Sequence, residues 1–202
     1  MAGFYDRIAG LYDVFTWGAD KRYARLKRRA FSGADGRTLL VGVGTGRDLD
    51  LLPEGLDLVG IDLSTSMLAR ARRRAIGYKG SVVILERNIE DTGFPEHHFD
   101  TVLTSCVFCS VGDPVKGLKE IRRILKPGGR LIMFEHMLSR NPLLQPMLYS
   151  MNFMIPIGPR FTRKTLANVR AAGFNVVLDE NVYMDIVKHI EAVGVDQAPG
   201  IP

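Results

Sequence analysis

From residue 37 onward the hydrophobic and polar positions follow two alternating patterns. Short apolar or β-branched runs stand at RTLLV (37–41), DLVGI (57–61), SVVIL (81–85), DTVLTS (100–105) and RLIMFE (130–135). Each is bounded by turn residues, which predicts a strand. Between them, apolar residues recur three and four apart, which predicts helices. One covers 65–76 behind the N-cap candidate Ser64; another covers 113–125, opening on Asp113-Pro114 and stopping at KPGG. Residues 4–31 read as two helices interrupted near Thr16–Gly18. A helix at 162–172 stops at Gly173, and two more strands, FNVVL and YMDIVKHI, follow it. Apolar strands joined by helical crossovers predict an α/β fold with a doubly wound sheet of about seven strands. That sheet is expected to be mostly parallel, with an antiparallel C-terminal strand and N-terminal helices as a lid.

Length changes this picture little: 202 residues suit one domain with a full-sized core. The expected division is a lid at 1–31, a main domain at 32–193 with an insertion at 137–161, and a flexible tail at 194–202. MAGFYDRIAGLYDVF lacks the basic and apolar regions of a signal peptide, and no apolar run reaches transmembrane length. A cytoplasmic location is therefore expected. Cys106 and Cys109 form a C-x-x-C pair in SCVFCSV. One pair cannot complete a four-ligand zinc site, and no metal cluster is apparent. The expected role of both cysteines is apolar packing after a strand.

The stretch LLVGVGTGRDL (39–49) carries the first chemistry. Gly42, Gly44 and Gly46 follow an apolar strand, where bare backbone lets a ligand approach closely. A dinucleotide fingerprint would need a glycine where Arg47 stands, and no G-K-[ST] of a phosphate loop follows. Asp62 ends the second strand, 20 residues past Gly42, where a carboxylate can accept from ribose hydroxyls. The combination suits an adenosine ligand that carries a ribose and no diphosphate. Ligands of such sheets sit beyond the carboxyl ends of the strands.

At these residues the chain resembles the class I S-adenosylmethionine-dependent methyltransferases, with their Rossmann-like fold. LLVGVGTGRDL is similar to their first motif, GIDLSTSML to the second, RNIEDTGFPEHHFDTVLT to the third, and LKEIRRILKPGGRLIMFEH to the helix, turn and strand that follow. The resemblance implies cofactor contacts from Gly42, Gly44, Thr45 and Gly46, then from Asp62, Leu63 and Met67. It also implies them from Asn88, Ile89 and Glu90, and from Ser105. Asp62 would hold the ribose and Met67 would pack on adenine. Two departures stand out. Leu40 occupies the place of an acid that helps orient the cofactor's amino group, and Asn88 replaces the acid that meets the adenine amino group. The asparagine oxygen still accepts; the leucine is expected to weaken or rearrange cofactor binding.

Methyl transfer needs alignment first, and a base only for a protonated acceptor. The catalytic candidates are His136 and Glu135, at the end of the fifth strand, and Tyr5, Tyr12 and Asp13 in the lid. The chain's net charge is +5, and Lys21, Arg22, Arg25, Arg28 and Arg29 share a helical arc of about 120°. The insertion repeats Leu143, Leu144, Met147, Leu148, Met151, Met154 and Ile155 at helical spacing, and these residues suit an adaptable apolar pocket wall. A basic face beside an apolar one fits an anionic membrane surface, so peripheral association at the inner membrane face is expected. No base-reading module points to nucleic acid. The expected acceptor is small and apolar or amphiphilic, with a phospholipid headgroup amine favoured. The alternatives are C-methylation of a quinone and S-methylation of a small alkyl thiol. Outside that class stand a non-catalytic cofactor-binding module and an NAD-dependent oxidoreductase.

Overall fold

The computed structural model describes residues 2–154 and 158–194. Its strands are β1 (Arg37–Val41), β2 (Asp57–Asp62), β3 (Ser81–Glu86), β4 (Phe99–Ser105), β5 (Leu125–His136), β6 (Phe174–Tyr183) and β7 (Val187–Gly194). They form one sheet in the order β3-β2-β1-β4-β5-β7-β6. The first five are mutually parallel, and β7 runs antiparallel to both β5 and β6. The helices are α1 (Ala2–Phe31), α2 (Thr65–Ala75), α3 (Pro114–Ile124), α4 (Gln145–Met154) and α5 (Thr165–Ala171). Strand order reverses between β1 and β4, which opens a crevice at their carboxyl ends.

Side chains alternate along each strand, so each face of the sheet buries its own core. Leu39 and Val41 face a cluster with Leu118 and Ile121 of α3, whereas Leu40 faces Phe31 of α1 and Leu68 of α2. Both crossover helices start on side-chain caps. Ser64 accepts from Met67 N at 3.2 Å, and Asp113 accepts from Lys116 N at 3.0 Å ahead of Pro114.

Four expectations are corrected. First, α1 is one continuous helix, without a break near Thr16–Gly18. Thr16 Oγ1 donates to Tyr12 O at 3.1 Å, which spends its hydroxyl inside the helix rather than on a new cap. A glycine inside a helix costs only about 1 kcal/mol, and contacts on both sides of Gly18 outweigh it. Second, the helix expected at 162–172 forms only over Thr165–Ala171, while the glycine turn leads into a short 3-10 turn, Arg47–Leu51. Third, β5 begins directly at Leu125 and takes in the KPGG residues, with a register shift against β4 between Phe99 and Thr101. Fourth, the last strand starts at Val187, because Tyr183–Ile186 is a tight turn closed by Ile186 N to Tyr183 O at 2.9 Å. Met184 and Asp185 adopt φ of 50° and 55° there without glycine. The Asp185 carboxylate is held by Lys188 at 2.7 Å and by Arg140 N at 2.6 Å, which fixes the turn in place of a glycine. Of the expected tail, 195–202 lies outside the described residues, as does Ile155.

Gly46 shows how tightly the glycine turn is packed. Its φ is 84°, and a Cβ there would stand 2.9 Å from Ala71 Cα of α2. A backbone atom cannot step aside, so Gly46→Ala should destabilise the fold by about 1–3 kcal/mol. Urea denaturation checks this; a midpoint equal to that of the parent protein would contradict the packing described.

Candidate active site

A cavity of about 330 Å³ lies at the carboxyl ends of β1, β2 and β4, roofed by the first half of α1. Asp62 organises its floor. One carboxylate oxygen accepts from Gly44 N at 2.9 Å and the other from Ser64 N at 3.0 Å. This ties the glycine turn to the start of α2. A carboxylate offers about four acceptor positions, so capacity remains for ribose hydroxyls. Gly42 has φ of 64°, and a Cβ on it would meet Val107 Cγ2 at 2.4 Å, so the turn nests against the loop after β4.

Three polar clasps hold α1 over this floor. Tyr5 OH lies 2.8 Å from Ser110 Oγ. Asp6 accepts from Ser64 Oγ at 2.5 Å and from Ser66 N at 3.1 Å, and these bonds hold its carboxyl below the usual range. Asp13 accepts from Thr45 Oγ1 at 2.7 Å and from Arg74 at 2.6 Å, while Arg47 donates to its carbonyl at 2.8 Å. Burial alone would raise the Asp13 carboxyl, but the Arg74 and Thr45 bonds and the two arginine charges lower it. Further along the helix, Lys27 is buried and pairs with Asp48 at 2.9 Å.

Eleven of the fifteen expected site residues line the cavity: Tyr5, Tyr12, Gly42, Gly44, Asp62, Leu63, Met67, Asn88, Ile89, Glu90 and Ser105. The Asn88 side-chain oxygen also accepts from Glu90 N at 3.0 Å. The other four stand behind the wall. Thr45 and Gly46 are buried, with the Thr45 hydroxyl given to Asp13. Glu135 is fully buried and accepts from Thr104 Oγ1, Val107 N and Phe108 N, so it is no base for a bound acceptor. His136 packs edge-on against Phe161, and burial, aided by the Lys27 charge, lowers its pKa to about 4. Burial raises the Tyr5 phenol, so it stays protonated at neutral pH.

Two further expectations change. Leu40 is 1% exposed inside the apolar cluster on the α1 side of the sheet and does not reach the cavity. No described residue of the insertion lines it either: Leu148 is the buried residue of α4, while Leu143, Met147 and Met154 are exposed. Sequence reasoning missed Arg87, Cys106, Val107, Ser110, Val111 and Gly112, all on the wall. Their signal was position, just past β3 and β4. Both cysteines are free, and burial pushes the Cys109 thiol up to about 12 and Cys106 well above its usual value, which disfavours the thiolate form. Among the described residues no cluster of side chains could hold a metal ion.

Comparison with known proteins agrees with this geometry. Residues 39–133 match the family model described as a methyltransferase domain. A ubiquinone/menaquinone biosynthesis C-methyltransferase of Geotalea daltonii is 31% identical, over 79% of this chain and 73% of that protein. A phosphatidylethanolamine N-methyltransferase of Cereibacter sphaeroides is 33% identical, over 65% of this chain and 66% of its own. The alignment spans only 62% of the length of a similar C-methyltransferase from Geobacter sulfurreducens. Among solved structures, a SAM-dependent methyltransferase of Thermotoga maritima is 25% identical with a TM-score of 0.72, covering 95% of this chain and 98% of that one. The chain belongs to the class I S-adenosylmethionine-dependent methyltransferases. The cavity fits that cofactor: a glycine turn, a carboxylate at the end of β2 and an apolar wall of Ile61, Met67 and Ile89 stand around one space.

Asp62→Ala removes both a carboxylate of the cavity floor and the tie between Gly44 and Ser64. It should weaken S-adenosylhomocysteine binding by about 1.5–3 kcal/mol, read by calorimetry. Unchanged affinity would mean that the carboxylate serves only the fold.

Proposed function

We propose that the protein transfers the methyl group of S-adenosylmethionine to a small apolar or amphiphilic acceptor, with the amine of a phospholipid headgroup favoured. The observation that carries this reading is one cavity that joins an acidic, glycine-rich floor to apolar walls under a lid helix. The cofactor, when bound, supplies a methyl group already activated on a sulfonium. The chain's own residues have alignment and water exclusion to provide. Asp62 and the glycine turn orient the nucleoside end. The roof of Tyr5 and Tyr12, latched by Asp6 and Asp13, shields the reacting end from solvent. Among the described residues the wall carries two carboxylates, Asp62 and Glu90, against one cation, Arg87, so its net charge is negative and favours a cationic amine.

The lipid preference rests on the outside of α1. Leu11, Val14 and Trp17 are exposed over the cavity end, and Lys21, Arg22, Arg25, Arg28 and Arg29 are exposed beyond them. An apolar stripe continued by cations suits an anionic interface. Some of these cations have partners within the chain: Arg22 lies 4.2 Å from the Tyr183 ring, Arg29 pairs with Glu180, and Arg28 donates to Asp50 O. No helix among the described residues is long and apolar enough to cross a membrane. A quinone ring is the second reading, supported by the apolar wall and by the C-methyltransferase relatives.

Two measurements test the proposal. Labelled S-adenosylmethionine offered with a lipid extract and with a soluble-metabolite extract should mark the lipid fraction; label in the soluble fraction alone would contradict it. The protein should also sediment with anionic vesicles at low salt and release at high salt, because each surface cation contributes about 1 kcal/mol there. Lys21→Glu, Arg25→Glu and Arg28→Glu together should abolish sedimentation while sparing the Arg29–Glu180 pair. Absence of vesicle binding at low salt makes a soluble acceptor the better assignment.

A further inference from the structure

The loop after β4 forms one whole wall of the cavity, through Ser105, Cys106, Val107, Ser110 and Val111. Its backbone is unusual. Cys106 adopts φ of 56°, a left-handed conformation that a residue with a Cβ takes only when its surroundings enforce it. Cys106 N donates to Phe134 O at 2.8 Å, and the chain then turns so that Ser110 N reaches Val107 O at 2.8 Å. Behind this turn stands Glu135, wholly buried. Oε1 accepts from Thr104 Oγ1 at 2.7 Å and from Val107 N at 3.0 Å, and Oε2 accepts from Phe108 N at 3.2 Å. Three donors, from the end of β4 and from both residues after Cys106, converge on one carboxylate. On its other side the loop presses Val107 against Gly42 and offers Ser110 to Tyr5.

We infer that Glu135 is a positioning residue for methyl transfer: its carboxylate holds the Cys106 turn, and through it the cavity wall, at the spacing from the glycine turn that the reaction needs. This rests on the proposed methyl-transfer function. Glu135 touches neither cofactor nor acceptor; it acts through Val107 and Phe108. Its ionised form suits the role, since it accepts from all three donors, whereas the neutral acid brings a proton into a ring of donors. Burial pushes the carboxyl up to about 7, against the lowering effect of the three hydrogen bonds and of the Lys27 charge from α1. The other groups facing it are the Cys106 and Cys109 thiols of the loop, both raised and neutral, and Asp48 holds Lys27. The wall is therefore completed as the pH rises through neutrality.

The test uses the full chain, S-adenosylhomocysteine for binding and phosphatidylethanolamine vesicles as acceptor, with a demethylated quinone in parallel. Glu135→Gln keeps shape but cannot accept from both Val107 N and Phe108 N. It should lower kcat about 10- to 100-fold, with S-adenosylhomocysteine affinity within about threefold of the parent. It should speed amide exchange at Val107 and Phe108, and it should erase the limb of the parent's kcat–pH profile near pH 7. Cys106→Gly, which adopts the turn without enforcement, should recover much of the lost kcat in the Glu135→Gln background. If Glu135→Gln does not fold, the parent protein decides: exchange at the two amides should slow and kcat should rise together through about pH 7. Parental kcat and pH profile in Glu135→Gln, equal losses of binding and turnover, no rescue by glycine, or a flat parental profile would each overturn the inference. A parent protein that turns over neither acceptor overturns the function proposed above instead, and the amide exchange result still judges Glu135.

Discussion

The floor of the cavity, the start of α2 and part of the roof are registered to one carboxylate. Asp62 accepts one backbone N–H from the glycine turn and one from the start of α2, so two loops that are far apart in sequence share a single anchor. Ser64, fixed at the second of these bonds, then caps α2 through Met67 N and receives Asp6 from the lid. The glycine turn, fixed at the first, presents Thr45 to Asp13. Cofactor floor, crossover helix and lid are thus one connected polar network. Networks of this kind specify a single arrangement because a partly satisfied one is costly in a low dielectric.

The fold was largely legible from periodicity because the sheet's core strands are buried on both faces. Runs such as Leu39–Val41 and Val102–Leu103 have no polar position to blur them. What escaped the pattern was decided at longer range. Gly18 reads as a helix break locally, yet α1 continues because Asp6, Asp13, Lys27 and Phe31 find partners along its whole length. Met184 and Asp185 carry no turn glycine; the ion pairs of Asp185 with Lys188 and Arg140 replace it. Both are tertiary effects that no window of neighbouring residues contains.

The site was legible to a similar depth. Most of the residues expected just past β1, β2 and β3 line the cavity, whereas most of the loop after β4 was not named, although sheet topology decides where a crevice lies. Chemistry-bearing side chains were less predictable. Glu135 and His136 sit at the end of β5 as expected, but Glu135 is wholly buried behind the loop after β4, and His136 is half-buried against Phe161, away from the cavity wall. Leu40, which stands where an acid is usual, belongs wholly to the apolar core, and the buried cation nearby, Lys27, is satisfied by Asp48. The electrostatic centre of the site is therefore Asp62 with the lid carboxylates rather than the end of β1.

The path of α1 also shapes how the chain assembles. It precedes every strand in the sequence, and Ser64, Ser110, Phe134 and Tyr183, which receive it, are synthesised later. Contacts of long sequence separation close slowly, so the polar clasps of the roof complete only after the residues that receive them have been made.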